Sequence, residues 1–462
     1  MRRKVPVLAV AAILLFHQGA DAVPWKSRKA VHAPSPVRPE FVSTAPSVAL
    51  GDPFTVDAGR IFREPVRVSM GELPECVHRD SAALRFPGSY EPTGLFYSKL
   101  KKVLDNGKGN INIWHVGGSH VQAGYFPGRM MLNFNRIAPG MQGERGFVFP
   151  YRMLKTNYDY SYRMAWSGEW DGYLATKKYK NMRETSFGAT GVTATTFQDS
   201  AAVSLSMHPY KGMDWNFNSL RVMGYSSSDS VYPYLISGTD TVKFKADAVN
   251  GGYLADLDDY RDSVSVFFRV PEGESFTLTG LQPVSGRSGI NYYSSGVNGA
   301  TLTTWLDKCT DLQRDLGIVS PDLAILAVGI NDSAGPPNRF YPEVFKSRYR
   351  RLIMKVKEVA PDCAFMFITN NDSYRYQGRR MTYNLNAEAV QKAMYELAEE
   401  FDAAVWDVYE IMGGAKSVDA WRDAGLIGSD RLHFTKEGYE LLGDMLFNAI
   451  VKDYQSWISQ QL

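Results

Sequence analysis

Residues 111–131 read INIWHVGGSHVQAGYFPGRMM, an apolar run that meets two glycines and then a serine. Ile111, Ile113, Trp114 and Val116 are strand formers bounded by turn residues, whereas Val121, Tyr125, Met130 and Met131 begin a helical apolar face. Gly117 and Gly118 let the backbone turn sharply, which sets Ser119 at a helix N-terminus. Free N–H groups and the helix dipole there favour negative charge, so the position suits stabilisation of an oxyanion. Taken alone, the stretch still favours the plainer reading in which Ser119 only caps a helix.

Working outward, the chain repeats this strand-then-helix grammar. Leu95, Tyr97, Leu100, Val103 and Leu104 make an amphipathic helix ahead of the turn at Gly107 and Gly109. Beyond residue 289, strands over 322–328, 364–369 and 403–407 alternate with helices over 341–359 and 386–401, and a last helix covers 435–454. With 111–116 and 289–293 these strands predict an α/β fold, a three-layer α/β/α domain whose five-stranded parallel sheet is covered on both faces. Residues 165–285 differ in kind, with short alternating segments such as Val264–Phe267 and Phe276–Thr279 between Gly, Asp, Ser and Pro turns. That is β-sandwich grammar. The α/β domain is therefore expected in two pieces, 91–164 and 286–462, interrupted by an inserted β-sandwich at 165–285.

A chain of 462 residues with 44% hydrophobic and 22% charged content has material for more than one core. Arg2, Arg3 and Lys4, the apolar run Val5–Phe16 and then Ala20-Asp21-Ala22 have the form of a signal peptide over 1–22, cleaved near Ala22. A secreted or periplasmic protein is the expectation. The apolar run is shorter than the roughly 20 residues that span a bilayer, and no later stretch qualifies as a membrane segment. Cleavage removes three of the 51 basic and one of the 49 acidic residues and leaves 48 of each. A neutral mature chain gives no sign of a nucleic-acid or anionic-membrane partner, and nothing reports the oligomeric state. A Pro-rich leader follows over 23–90, with seven prolines before residue 67, and is expected to wrap the domain or stay partly loose. Cys76, Cys309 and Cys363 are too few for a disulfide framework.

Three further stretches fall just after expected strands, where an open α/β sheet gathers its functional residues. They are Ser294-Ser295-Gly296-Val297-Asn298-Gly299-Ala300, then Gly329-Ile330-Asn331-Asp332, then Asp430-Arg431-Leu432-His433 ahead of the final helix. Each alone has a plainer reading as a turn, a Gly/Asn-rich loop or a capped helix beside a surface histidine. Together with Ser119 they supply every group that acyl transfer needs. His433 can take the Oγ proton of Ser119, and a spacing of three lets one loop deliver Asp430 to orient His433. The N–H groups of Ser119 and Gly299 and the amide of Asn331 can form an oxyanion hole. His115 and His120 lack partners for a metal site, and a structural role suits both.

These blocks, in this order, resemble the SGNH or GDSL hydrolases. Ser119 falls on the nucleophile, Gly299 and Asn331 on the oxyanion glycine and asparagine, and Asp430 with His433 on the remaining pair. The stretches GSHVQAG, GERGFVFPY, GVNGATLTTW, LAILAVGIND and MGGAKSVDAWRDAGLIGSDRLHFTKEGY look most like the secreted peptidoglycan O-acetylesterases, which carry a carbohydrate-binding-like β domain between the first two blocks. The resemblance covers about residues 95–160 and 285–455 and is architectural only in the insert. It implies a serine esterase without metal or cofactor that removes O-acetyl groups from a polysaccharide, peptidoglycan first. A glycan-binding protein on the same scaffold and an O-acetyltransferase are the alternatives. One departure falls in the opening stretch, where the family's G-D-S is Gly117-Gly118-Ser119. The loss leaves a looser turn or shifts the carboxylate's role to another side chain, His120 or Asp332, with Gly117, Gly118 and His120 expected to support the turn. In the insert, Trp166, Trp170, Trp215, Tyr225, Tyr232 and Tyr234 can be read equally as sugar-stacking faces or as sandwich core.

Overall fold

Strand β1 (Asn110–Gly117) can lie at the middle of a sheet because its side chains need no water: Ile111, Ile113, Trp114 and Val116 are wholly buried. The structure is a computed structural model that describes residue 65 and residues 67–461, apart from 138–140, 181, 183–184, 208–210, 238–239 and 378. The signal segment and the leader up to residue 64 lie outside the described residues.

Four more strands join β1 in parallel register: β2 (Gly289–Gly296), β3 (Leu323–Ala327), β4 (Ala364–Ile368) and β5 (Ala404–Trp406). Their order across the sheet is β2-β1-β3-β4-β5. Residues Leu323–Leu326 and the whole of β4 and β5 are buried, as strands covered on both faces must be. Helices α1 (Glu91–Asn106), α2 (Ser119–Gln122), α3 (Tyr125–Ile137), α4 (Leu312–Val319), α5 (Pro342–Val359), α6 (Ala387–Glu400), α7 (Val408–Met412), α8 (Val418–Asp423) and α9 (Lys436–Ser459) connect and cover them.

Helices α1 and α3 pack on α9 through Tyr97 against Tyr454 (5.4 Å between ring centroids) and Phe134 against Phe447 (5.4 Å). A buried ion pair, Arg129 Nε to Asp444 Oδ1 at 2.5 Å, ties α3 to α9, with Asn133 donating to the same oxygen at 2.7 Å. On the other layer α5 meets β4, where Tyr349 lies 5.2 Å from Phe367. The end of the Pro-rich segment is docked: Val68 exchanges hydrogen bonds with Asn448 (2.8 and 2.9 Å), and Arg85 pairs with Val405 as a short antiparallel bridge. Cys76, Cys309 and Cys363 are free thiols. Among the described residues no helix is long and apolar enough to cross a membrane.

Between α3 and β2 the chain builds two antiparallel sheets from strands spanning Arg163–Val284, one of six strands and one of five. Phe268 of the five-stranded sheet meets Phe276 of the six-stranded sheet at 4.6 Å, and Trp170 packs edge-on against Phe268 at 5.3 Å. This is the sandwich core that the alternating segments predict.

The inserted sheets are pinned to the α/β sheet's helices through Asp315 of α4, which is fully buried and accepts the Ala189 N–H at 2.7 Å. Burial pushes the Asp315 carboxyl up to about 6 against the pull of Arg314. The folded protein thus holds a proton there that the unfolded chain gives up near its ordinary value of 3.8, so this contribution to stability is present at low pH and is lost as pH rises through about 6. Its size is of the order of 2–3 kcal/mol. In Asp315→Asn the pH-dependent part disappears while an oxygen remains for the Ala189 N–H. Urea unfolding at pH 4.5 and 7.5 is expected to show the variant gaining about 2 kcal/mol relative to wild type across that interval. Parallel curves would contradict the assignment.

Candidate active site

The β1 strand ends at Gly117, and the chain turns at once into α2 with Ser119 as its first residue. Gly117 has no room for a side chain, because a β-carbon there would lie 2.5 Å from Val121 Cγ2. Backbone N–H groups of Val121 and Gln122 close the turn on the Gly118 carbonyl at 3.2 and 3.0 Å. Ser119 is nearly buried, and its Oγ lies 2.8 Å from His433 Nε2.

His433 reaches this position from the loop ahead of α9. Arg431 adopts φ 52° and folds Asp430–His433 into a tight turn. Asp430 Oδ1 accepts the backbone N–H groups of Leu432 and His433, both at 3.0 Å, and its Oδ2 lies 2.7 Å from His433 Nδ1. Burial raises the Asp430 carboxyl, but the His433 ring and these two N–H groups outweigh it and hold the carboxyl down at about 2. A carboxylate only accepts, so Nδ1 carries the proton and Nε2 is left to accept from Ser119. Thr435 caps α9 by accepting the Gly438 N–H at 3.1 Å, and so fixes where the loop ends.

Asn331 stands beside this chain in the loop after β3. Its Nδ2 donates to the Ala300 carbonyl at 3.0 Å, which uses one of two N–H bonds and leaves the other for a ligand. The same nitrogen faces Gly118, where a β-carbon would lie 3.1 Å away. Gly299, at φ 81°, is exposed on the neighbouring loop after β2. Among the described residues no acceptor takes the N–H of Ser119 or of Gly299. The structure therefore gathers Ser119, Gly118, Gly299, Asn331, Asp430 and His433 at the C-terminal ends of β1, β2 and β3 and the start of α9.

Neither candidate for the missing carboxylate at 118 reaches that turn. His120 Nδ1 pairs with the Tyr439 hydroxyl at 2.7 Å, and burial, reinforced by the His433 ring 5.4 Å away, holds it neutral with its pKa down at about 3. Asp332 instead accepts the Leu302 N–H at 3.2 Å, and burial raises it to about 6. What joins the Ser119 helix to the Gly299 loop is Gln122, which the sequence reading passed over. Its Oε1 accepts the Asn298 N–H at 2.5 Å and its Nε2 donates to Asn157 O at 2.9 Å and Thr156 Oγ1 at 3.1 Å. Its burial three residues after the serine belongs to the folded structure and leaves no signal in the sequence. Asn371, which donates to the Leu432 carbonyl at 3.0 Å and steadies the histidine loop, was missed in the same way.

His115 is a core histidine. It is fully buried, pairs with the Tyr292 hydroxyl at 2.9 Å, and burial lowers it to about 3. Among the described residues no group of three His, Cys, Asp or Glu side chains could hold a metal ion. Most of the insert's aromatics face inward or are engaged. Trp215 is buried, Trp170 packs on Phe268, Tyr225 accepts the Ser186 N–H at 3.0 Å, and Tyr234 stacks on Phe267 at 5.6 Å. The Lys243 ammonium sits over Tyr232 at 3.8 Å, whereas Trp166 is 41% exposed.

Residues 269–441 match the GDSL-like lipase/acylhydrolase family model. The chain carries a GDSL-like acylhydrolase domain. The acylhydrolase match holds Gly299, Asn331, Asp430 and His433 but begins far beyond Ser119, because the inserted sheets separate the first block from the rest; β1 restores it by pairing with β2 and β3. The domain is of the carboxylic ester hydrolase class. No curated protein matches the sequence. A solved peptidoglycan O-acetylesterase is 19% identical and shares the fold over 81% of this chain and 99% of its own, with a TM-score of 0.65. A family two carbohydrate esterase from Cellvibrio japonicus is 13% identical, covering 64% of this chain and 99% of its own, with a TM-score of 0.26. The acetyl xylan esterase AlAXEase is 15% identical over 35% of this chain and 81% of its own, with a TM-score of 0.28. At these scores the last two add nothing to the fold assignment.

Proposed function

We propose that this acylhydrolase removes O-acetyl groups from a polysaccharide, with peptidoglycan the leading substrate, through an acetyl-serine intermediate. The observation that carries the reading is the continuous chain from Ser119 Oγ through His433 to Asp430, at 2.8 and 2.7 Å. Ser119 Oγ bonds to the acetyl carbonyl carbon as its proton passes to His433 Nε2. The resulting oxyanion is met by the N–H groups of Ser119 and Gly299 and the free N–H of Asn331. On collapse the sugar oxygen leaves with the proton from His433. Water then gives a proton to His433 and attacks the acetyl-serine, which releases acetate and restores Ser119. Asp430 stays ionised and keeps Nδ1–H in place throughout.

Support for peptidoglycan comes from the fold shared with the peptidoglycan O-acetylesterase along 81% of the chain, and from the signal-like residues 1–22, which would deliver the enzyme to an envelope polymer. The test is acetate release by wild type from O-acetylated peptidoglycan, the same polymer after chemical de-O-acetylation, and acetylated xylan. Acetate from the first and none from the second is expected. Hydrolysis of p-nitrophenyl acetate without acetate from either acetylated polymer would refute the polysaccharide reading while leaving the esterase chemistry in place.

A further inference from the structure

We infer that Tyr125, Tyr158 and Tyr160 form a ledge beside Ser119 that binds a pyranose ring of the polymer through stacking, in the acylhydrolase domain and not in the inserted sheets. This rests on the polysaccharide reading above and adds where the chain of sugars lies.

Tyr160 is 48% exposed, and its ring stacks on Tyr125 at 5.2 Å with 26° between planes. Tyr158 lies 4.8 Å from Tyr160, and the Arg152 guanidinium sits over Tyr158 at 5.2 Å. Tyr125 and Tyr158 are part-buried against the core and hold Tyr160 between them, and an exposed ring fixed in this way is unlike a core aromatic, whose faces are covered by packing. The part of the Tyr160 ring that its two neighbours leave uncovered is the surface offered to a ligand.

The segment that carries the ledge is tied to the helix that carries Ser119. Asp159, between Tyr158 and Tyr160, is buried, ion-paired with Arg145, and accepts the Ser161 N–H at 2.7 Å. Its carboxyl lies so near the backbone of Gly124 that a β-carbon there would be 2.4 Å from it. Gly124, at φ 77°, sits immediately before Tyr125 and five residues after Ser119. Asn157, the residue before Tyr158, accepts from Gln122 at 2.9 Å and donates to Asn298 Oδ1 at 3.4 Å, next to Gly299. The ledge is thus built onto the same hydrogen bonds that join the serine helix to the oxyanion loop.

An aromatic face of this kind takes a sugar ring that presents a flat sheet of axial C–H bonds, as an all-equatorial, β-1,4-linked pyranose does. The polymer would run over Tyr160 and present a ring's acetyl ester to Ser119. The test uses the full-length Ser119→Ala protein and N-acetylchitohexaose, a non-hydrolysable probe with that geometry, in titration calorimetry. Adding Tyr160→Ala, or Tyr158→Ala, is expected to weaken binding by about tenfold or more. In the otherwise wild-type enzyme the same substitutions are expected to leave kcat/KM for p-nitrophenyl acetate within twofold, which shows that fold and nucleophile are intact. Unchanged affinity in both variants, absent binding by Ser119→Ala, or a parallel loss of p-nitrophenyl acetate hydrolysis would overturn the ledge. Failure of the polysaccharide reading looks different: intact, tyrosine-dependent oligosaccharide binding with no acetate released from any acetylated polymer.

Discussion

Ser119→Ala is expected to lower kcat for p-nitrophenyl acetate by about 10⁴-fold or more, with the melting temperature close to that of wild type. The side chain makes one hydrogen bond, to His433 Nε2, and its removal deletes the atom that would bond to the acyl carbon. His433→Ala should cost a similar factor, because an unactivated serine hydroxyl is a weak nucleophile at neutral pH. The two losses should not add. Residues that act as one unit remove the same rate acceleration whichever is deleted, so the double variant should resemble each single one. Initial rates for the three variants, with circular dichroism to verify folding, give the comparison; a Ser119→Ala enzyme within tenfold of wild type would contradict the role assigned to the serine.

Asn331→Ala is expected to lower kcat by about 10²–10³-fold with little change in KM, since an oxyanion donor acts on charge that exists only in the transition state. The geometry makes this donor well prepared: one N–H is spent on Ala300 at 3.0 Å, which orients the amide, and the other is free. That corresponds to roughly 2.7–4 kcal/mol of transition-state stabilisation. Steady-state kinetics on p-nitrophenyl acetate separates this from a binding defect, because a raised KM at unchanged kcat would assign Asn331 to ground-state binding instead. The same amide accounts for the fit of Gly118. A β-carbon there would sit 3.1 Å from Asn331 Nδ2, so an aspartate at 118 would require Asn331 to give way.

The parallel sheet was legible because β3, β4 and β5 are continuous apolar runs, and Ile111–Val116 is broken only at Asn112 and His115 before a helical pattern begins. Ile111–Val116 and Asp322–Val328 needed no partner to be recognised as buried strands, and the structure starts and stops them within a residue or two. The separation of Asp430 from His433 by two residues was equally informative, since a short loop confines both side chains. Other features depended on distance in space. Gln122 carries no mark that it bridges to Asn298, 176 residues away, and the contact exists only because β1 and β2 are neighbours. The direction in which an aromatic points was likewise hidden. Trp215 and Trp166 look alike in sequence, yet one is buried and the other is 41% exposed. Tyr160 drew no attention, because nothing in the sequence marks it as exposed while its neighbour Asp159 is buried and ion-paired with Arg145.

The most direct measurement is reaction of the wild-type protein with an active-site serine phosphonate, followed by peptide mapping of the adduct. A single adduct on Ser119, with concurrent loss of p-nitrophenyl acetate hydrolysis and no adduct in His433→Ala over the same interval, is the expected result. Stoichiometric labelling at another serine, or full inactivation with Ser119 unmodified, would contradict Ser119 as the nucleophile.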